Sequence, residues 1–171
     1  MSTSFLPEDM IRYYEDMWIG EQLKILSNDK YSRLLKRRTL GETTKSFWQI
    51  IQNEKWDSIN FHFELKLTGE TPLCQTSKEI EVLVHLESQH IDKNTDEKAR
   101  AFFINNGALF KSKNKIDEVC GMKLEGSFIP DFSSEETAKK TILEIIDILN
   151  SDPYQKCAKI ANAFIRELSN E

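Results

Sequence analysis

Glu64, Leu65 and Lys66 spell an acid-x-lysine unit inside a run that alternates apolar and polar residues. A large class of nucleases uses these residue types on one strand, where the carboxylate binds magnesium and the lysine positions or activates the attacking water. Alternation puts Glu64 and Lys66 on one strand face, as that chemistry requires. The same chemistry needs a separate aspartate, and the nearest, Asp57, precedes the same strand. A second arrangement draws on His62, Glu64, His85 and Glu87, which would supply imidazole and carboxylate ligands to a transition metal if two strands paired in a suitable register. Against both stands the ordinary reading, in which charges at i and i+2 mark the solvent face of a sheet. No catalytic residue, metal or cofactor is therefore assigned. Hydrolysis through Glu64 and Lys66 is kept as the alternative.

Two further groups suit binding. Lys30, Arg33, Lys36, Arg37 and Arg38 concentrate positive charge, with Tyr31 interleaved, as phosphate contact and base stacking demand. A solvated helix end, or a patch that meets an acidic partner, explains the same cluster more simply. Met10, Tyr14, Met17 and Trp18 form an apolar stripe set apart from the main pattern, and aromatic stripes of this kind dock partners or second copies. The expected binding set is Tyr14, Met17, Trp18, Arg33, Lys36, Arg37 and Arg38. No Ser/His/Asp arrangement, no cysteine near a histidine and no phosphate-cradling glycine loop can be read, which argues against nucleotide-dependent chemistry.

The elements that position these residues come from periodicity. Residues 7 to 38 read as helical, with Pro7 in the first turn and divisions at Gly20 and Ser27-Asn28-Asp29. A threonine at 43 or 44 is expected to cap a short helix carrying Phe47, Trp48, Ile50 and Ile51. One strand sets Ile59, Phe61, Phe63, Leu65 and Leu67 inward against Asn60, His62, Glu64 and Lys66 outward. A second sets Ile80, Val82, Val84 and Leu86 against Glu79, Glu81, His85 and Glu87, and the pair reads as antiparallel. A helix follows with Ala99, Phe102 and Phe103 and, after an interruption at Asn105 to Gly107, continues through Leu109, Phe110, Ile116 and Val119 to a C-cap at Gly121, then a strand over Met122 to Phe128 stopped by Pro130. Ser133 with Glu136 reads as a capping box opening a helix with Ala138, Thr141, Ile142, Ile145 and Leu149 on one stripe. Asp152 and Pro153 open the last helix, with Tyr154, Cys157, Ala161, Phe164 and Leu168 at helical spacing.

The totals agree with a folded α+β chain. At 39% hydrophobic and 10% aromatic, its 171 residues can bury a core. A formal charge of -5 lacks the broad positive field of a nucleic-acid binder. Cys74, Cys120 and Cys157 are too widely spaced for a zinc knuckle or a disulfide framework. With no signal-peptide pattern and no membrane-spanning run, a cytoplasmic protein with reduced thiols is expected.

Phe47-Trp48, the two strands, Phe102 to Phe110 and the run Lys113-Asn114-Lys115-Ile116-Asp117-Glu118-Val119-Cys120-Gly121 resemble an uncharacterised prokaryotic α+β domain family. Its members sometimes sit C-terminal to endonuclease-like domains, and the likeness spans roughly residues 44 to 168. The resemblance implies a setting in nucleic-acid metabolism or defence, and it assigns no catalytic residues. The expectation is an α+β fold with a small, mainly antiparallel sheet covered on one face by helices. An N-terminal helical arm would occupy residues 1–40 and the α+β domain residues 41–171, the two forming one compact unit. The function expected is a non-enzymatic interaction or accessory module of a prokaryotic cytoplasmic system, with a protein partner or a second copy as ligand and nucleic acid as the lesser candidate.

Overall fold

A computed structural model of the chain describes residues 8–33, 47–59, 61–68, 79–86, 93–107 and 134–170. Its elements are α1 (Glu8–Leu26), β1 (Ser32–Arg33), β2 (Phe47–Ile51), a 3-10 helix (Glu54–Ile59), β3 (Phe61–Thr68), β4 (Glu79–Leu86), α2 (Lys93–Asn105), α3 (Glu135–Asn150) and α4 (Asp152–Leu168). The fold is α+β. The four strands among the described residues form one antiparallel sheet in the order β1-β2-β3-β4.

The register between β3 and β4 follows from hydrophobic matching. Phe61 pairs with Leu86, Phe63 with Val84, Leu65 with Val82 and Leu67 with Ile80, so the two apolar series expected from the sequence lie in step. A slip of one residue would set every apolar side chain against the polar series. The helices cover the face that carries Phe61, Phe63 and Leu65. Tyr31, the 3-10 helix residue Trp56 and Tyr154 of α4 meet Phe63 edge-on at 6.3, 5.2 and 5.8 Å, and Phe103 of α2 lies 5.5 Å from Phe61. Ile19 and Leu23 of α1 close over Ile50, Leu65, Ile142 and Ile145, leaving a void of about 10 Å³. That is room for about one water.

Phe47–Ile51 is a strand and not the expected capped helix. Five residues are too few for periodicity to separate the two, and the aromatic and β-branched content favours the strand. Ile50 and Ile51 are both buried, at 1% and 6% exposure. Since consecutive strand side chains point to opposite faces, burial of both means that each face of β2 is covered there.

The N-terminal segment also departs from expectation. α1 runs unbroken through Gly20 and packs against β1, where a Cβ on Gly20 would meet Arg33 Cβ at 3.4 Å, an ordinary contact distance. The helix stops at Leu26, at the expected Ser27-Asn28-Asp29 division, where Asn28 and Asp29 take left-handed backbone angles, φ 52° and 61°. Asn and Asp tolerate that region better than most residues. Ser27 Oγ accepts the Tyr31 N–H at 3.1 Å and leads the chain into β1, where a continued helix was expected. Ile19, Leu23 and Tyr31 belong to the common core, so α1 and the turn after it pack into the fold.

At the C-terminal end the stripes stand as read. Ala138, Thr141, Ile142, Ile145 and Leu149 are buried on α3, as are Tyr154, Cys157, Ala161 and Phe164 on α4, with Leu168 packed at the edge. The α3 cap falls at Ser134, one residue later than expected. Its hydroxyl accepts the Thr137 N–H at 3.2 Å, and Thr137 Oγ1 accepts the Ser134 N–H at 3.1 Å. α2 ends at Asn105, at the expected interruption, with Gly107 in the left-handed region at φ 77°. The expected strand over Met122 to Phe128, with Pro130 and Gly121, lies outside the described residues.

Candidate functional site

The polar series of β3 is not a solvent face. His62 is 0% exposed and Glu64 8%, with His62 Nε2 4.0 Å from Glu64 Oε2. Alternation of polarity separates the two faces of a strand and says nothing about what covers the second one. Gln49 stands across from Glu64 in the register, and its Oε1 is buried without a hydrogen-bond partner among the described residues. His85 pairs with His62 and Lys66 with Glu81 along the backbone. Glu87 lies outside the described residues. Among the described residues no group of three or more His, Cys, Asp or Glu is placed to hold a metal ion.

The expected binding residues separate. Tyr14 falls on α1, while Lys36, Arg37 and Arg38 lie outside the described residues. Met17 is 45% exposed, and Trp18 is half-buried against the core. Arg33 sits on β1 beside Gly20. Tyr31, read as a ring able to stack on a base, is fully buried. Its hydroxyl donates to Asn150 Oδ1 at 2.8 Å and accepts from Gln155 Nε2 at 3.0 Å. Lys30 Nζ joins the same group, 2.7 Å from Asn150 Oδ1. These contacts tie the α1–β1 turn to the α3–α4 junction. Burial outweighs the Gln155 bond and pushes the Tyr31 phenol up to about 12. Cys157 is a core thiol, 2% exposed, and burial raises its pKa against the opposing charge of Lys156. It is not an activated nucleophile.

Among the described side chains of α1, Met17, Glu21, Lys24 and Ile25 are exposed, Ile25 at 57%. At 100° per residue these four span about 100° of the helix surface, opposite the buried Ile19, Leu23 and Ser27. Trp18 lies seven residues before Ile25, on the same line of the helix. Two large apolar groups thus face outward on a helix whose other side is core.

Sequence reasoning missed a polar cleft of about 600 Å³ between the turn after α1, the segment from Gln52 to Lys55, and the last turns of α4. Its floor is a relay of fixed polarity. The Lys55 backbone N–H donates to Asn53 Oδ1 at 3.1 Å, Asn53 Nδ2 donates to Asn162 Oδ1 at 2.8 Å, and the Trp56 indole donates to that same oxygen at 2.8 Å. A backbone N–H and an indole can only donate, so both amide orientations are determined by chemistry. No local signal marks this site, because its halves lie more than 100 residues apart in sequence. The chain matches no family model, no curated protein and no solved structure.

Proposed function

We propose that the protein is a non-enzymatic interaction module that docks a protein partner, or a second copy of itself, through the outer face of α1. The observation that carries this reading is the exposure of Met17 and Ile25, 45% and 57%, beside a half-buried Trp18 on a helix fixed by core packing. Large apolar side chains on a rigid helix offer association area at little cost in ordering. The prokaryotic, cytoplasmic setting and the link to nucleic-acid metabolism or defence belong to the same proposal and add no residue to it. Among the described residues, no helix is long and apolar enough to cross a membrane.

The hydrolytic alternative has less support. Magnesium gives up its waters reluctantly and keeps several when bound, whereas Glu64 is 8% exposed. The test is a Met17→Glu/Ile25→Glu double variant, compared with the wild type by sedimentation velocity and by native pull-down with mass spectrometry. Both substitutions are at exposed positions and should leave thermal stability within about 0.5 kcal/mol of wild type. The reading expects a self-association step, or one recurrent protein partner, to vanish with the double variant. An unchanged oligomeric state together with an unchanged partner set would overturn it.

A further inference from the structure

We propose that the cleft between the 3-10 helix and α4 binds an extended polypeptide segment through its main-chain amide groups, independently of the α1 face. The relay described above consumes Asn162 Oδ1 entirely, since it accepts from both Trp56 and Asn53. The Asn162 Nδ2 group is consequently turned away from the core and makes no hydrogen bond among the described residues, at a position that lines the cleft. One helical turn later Arg166 uses only Nε, which donates to the Asn162 carbonyl at 3.2 Å, leaving both terminal nitrogens of an exposed guanidinium. Gln52 lines the same cleft with its Oε1 buried, so its Nε2 is the accessible end of that amide. The cleft therefore presents three side-chain donors held on one helix and one strand end.

Charge decides between ligand classes. Arg166 and Lys55 are balanced by Asp29 and Glu54, all four lining the cleft, so it carries no net charge. A polyanion such as nucleic acid needs an excess of cations to release its counterions and would be repelled by the two acids. A peptide group is neutral and offers one acceptor and one donor, which suits a lining that holds both side-chain donors and carboxylate acceptors. The volume lies within the usual few hundred to one thousand Å³ of ligand sites, enough for a short extended segment.

The test is selection of a random dodecapeptide library displayed on phage against the wild-type protein, followed by fluorescence anisotropy of the enriched peptides. Asn162→Asp is the decisive variant: its carboxylate still accepts from Trp56 and Asn53, while the outward donor becomes an acceptor. Enriched peptides should bind the wild type and lose about tenfold or more in affinity to Asn162→Asp, the loss expected for a missing hydrogen bond with an unpaired acceptor. They should bind the Met17→Glu/Ile25→Glu variant as well as the wild type, which separates this site from the α1 reading. Arg166→Ala, at an exposed position, gives the same comparison should Asn162→Asp fold poorly. Absence of enrichment, equal binding by Asn162→Asp and Arg166→Ala, or preferential capture of a fluorescein-labelled oligothymidylate would each overturn the proposal.

Discussion

The relay ending at Asn162 makes two substitutions at one position diverge. Trp56 is 0% exposed, so Asn162→Ala strands its indole N–H away from water, a loss of about 1–3 kcal/mol. Asn53 Nδ2 loses the same acceptor, but Asn53 is only partly buried and water can replace the bond. Alanine is the better helix former by roughly 0.5 kcal/mol, which offsets part of the damage. The net expectation is a loss of about 1–2 kcal/mol, or a melting temperature lower by roughly 3–6 °C for a chain of this size. Asn162→Asp retains the accepting oxygen with added charge, and its stability should stay within about 0.5 kcal/mol of wild type. Urea denaturation followed by circular dichroism at 222 nm measures both. Adding Trp56→Phe closes a double-mutant cycle whose coupling should be about 1 kcal/mol. If Asn162→Asp falls as far as Asn162→Ala, or the cycle is additive, then Asn162 is not oriented by the indole and the outward donor inferred from it is lost.

Glu64→Ala removes the carboxylate 4.0 Å from His62 Nε2 in a buried setting and should cost about 1–3 kcal/mol in urea denaturation; a change below about 0.5 kcal/mol would place Glu64 with ordinary surface residues. Alkaline stability should depend on Tyr31. Its folded phenol, pushed up to about 12 by burial, holds its proton more tightly than the unfolded one near 10, so this contribution is complete below pH 10 and is lost as the pH rises through 12. Burial raises Tyr154 in the same direction. Tyr31→Phe should therefore flatten the decline of the urea midpoint between pH 9 and 11.5, and an unchanged slope would contradict the burial argument.

Periodicity made legible the elements whose two sides differ in polarity. The alternations of β3 and β4 gave the antiparallel pairing and the apolar face but not the register, and the stripes of α3 and α4 located their buried faces. It failed where both sides are covered. Phe47–Ile51 offers no contrast between faces, so its aromatic density suited a helix as well as a strand. At His62 and Glu64 the pattern reported polarity correctly, but exposure depends on the second layer, which no window of a few residues contains. Tyr31 was hidden for a related reason: Lys30 and Arg33 made its neighbourhood look solvated, while its partners Asn150 and Gln155 lie about 120 residues away. The cleft is the extreme case, assembled from the end of β2 and the end of α4.

Core packing of α1 also determines how its docking face can be studied. Deleting residues before 39 would remove Ile19, Leu23 and Tyr31 from the core together with the edge strand β1. At about 1.5–3 kcal/mol for each large apolar side chain, that loss is comparable with the whole stability of an ordinary domain, about 5–15 kcal/mol. A truncated chain that failed to bind a partner would report unfolding as readily as a lost interface. Exposed and buried residues on α1 lie on opposite sides of one helix, so Met17 and Ile25 can be changed while Ile19 and Leu23 hold the fold. The same geometry links the two roles thermodynamically. A partner seated on the outer face binds only the folded protein, and it should raise stability in proportion to the logarithm of its concentration over the dissociation constant.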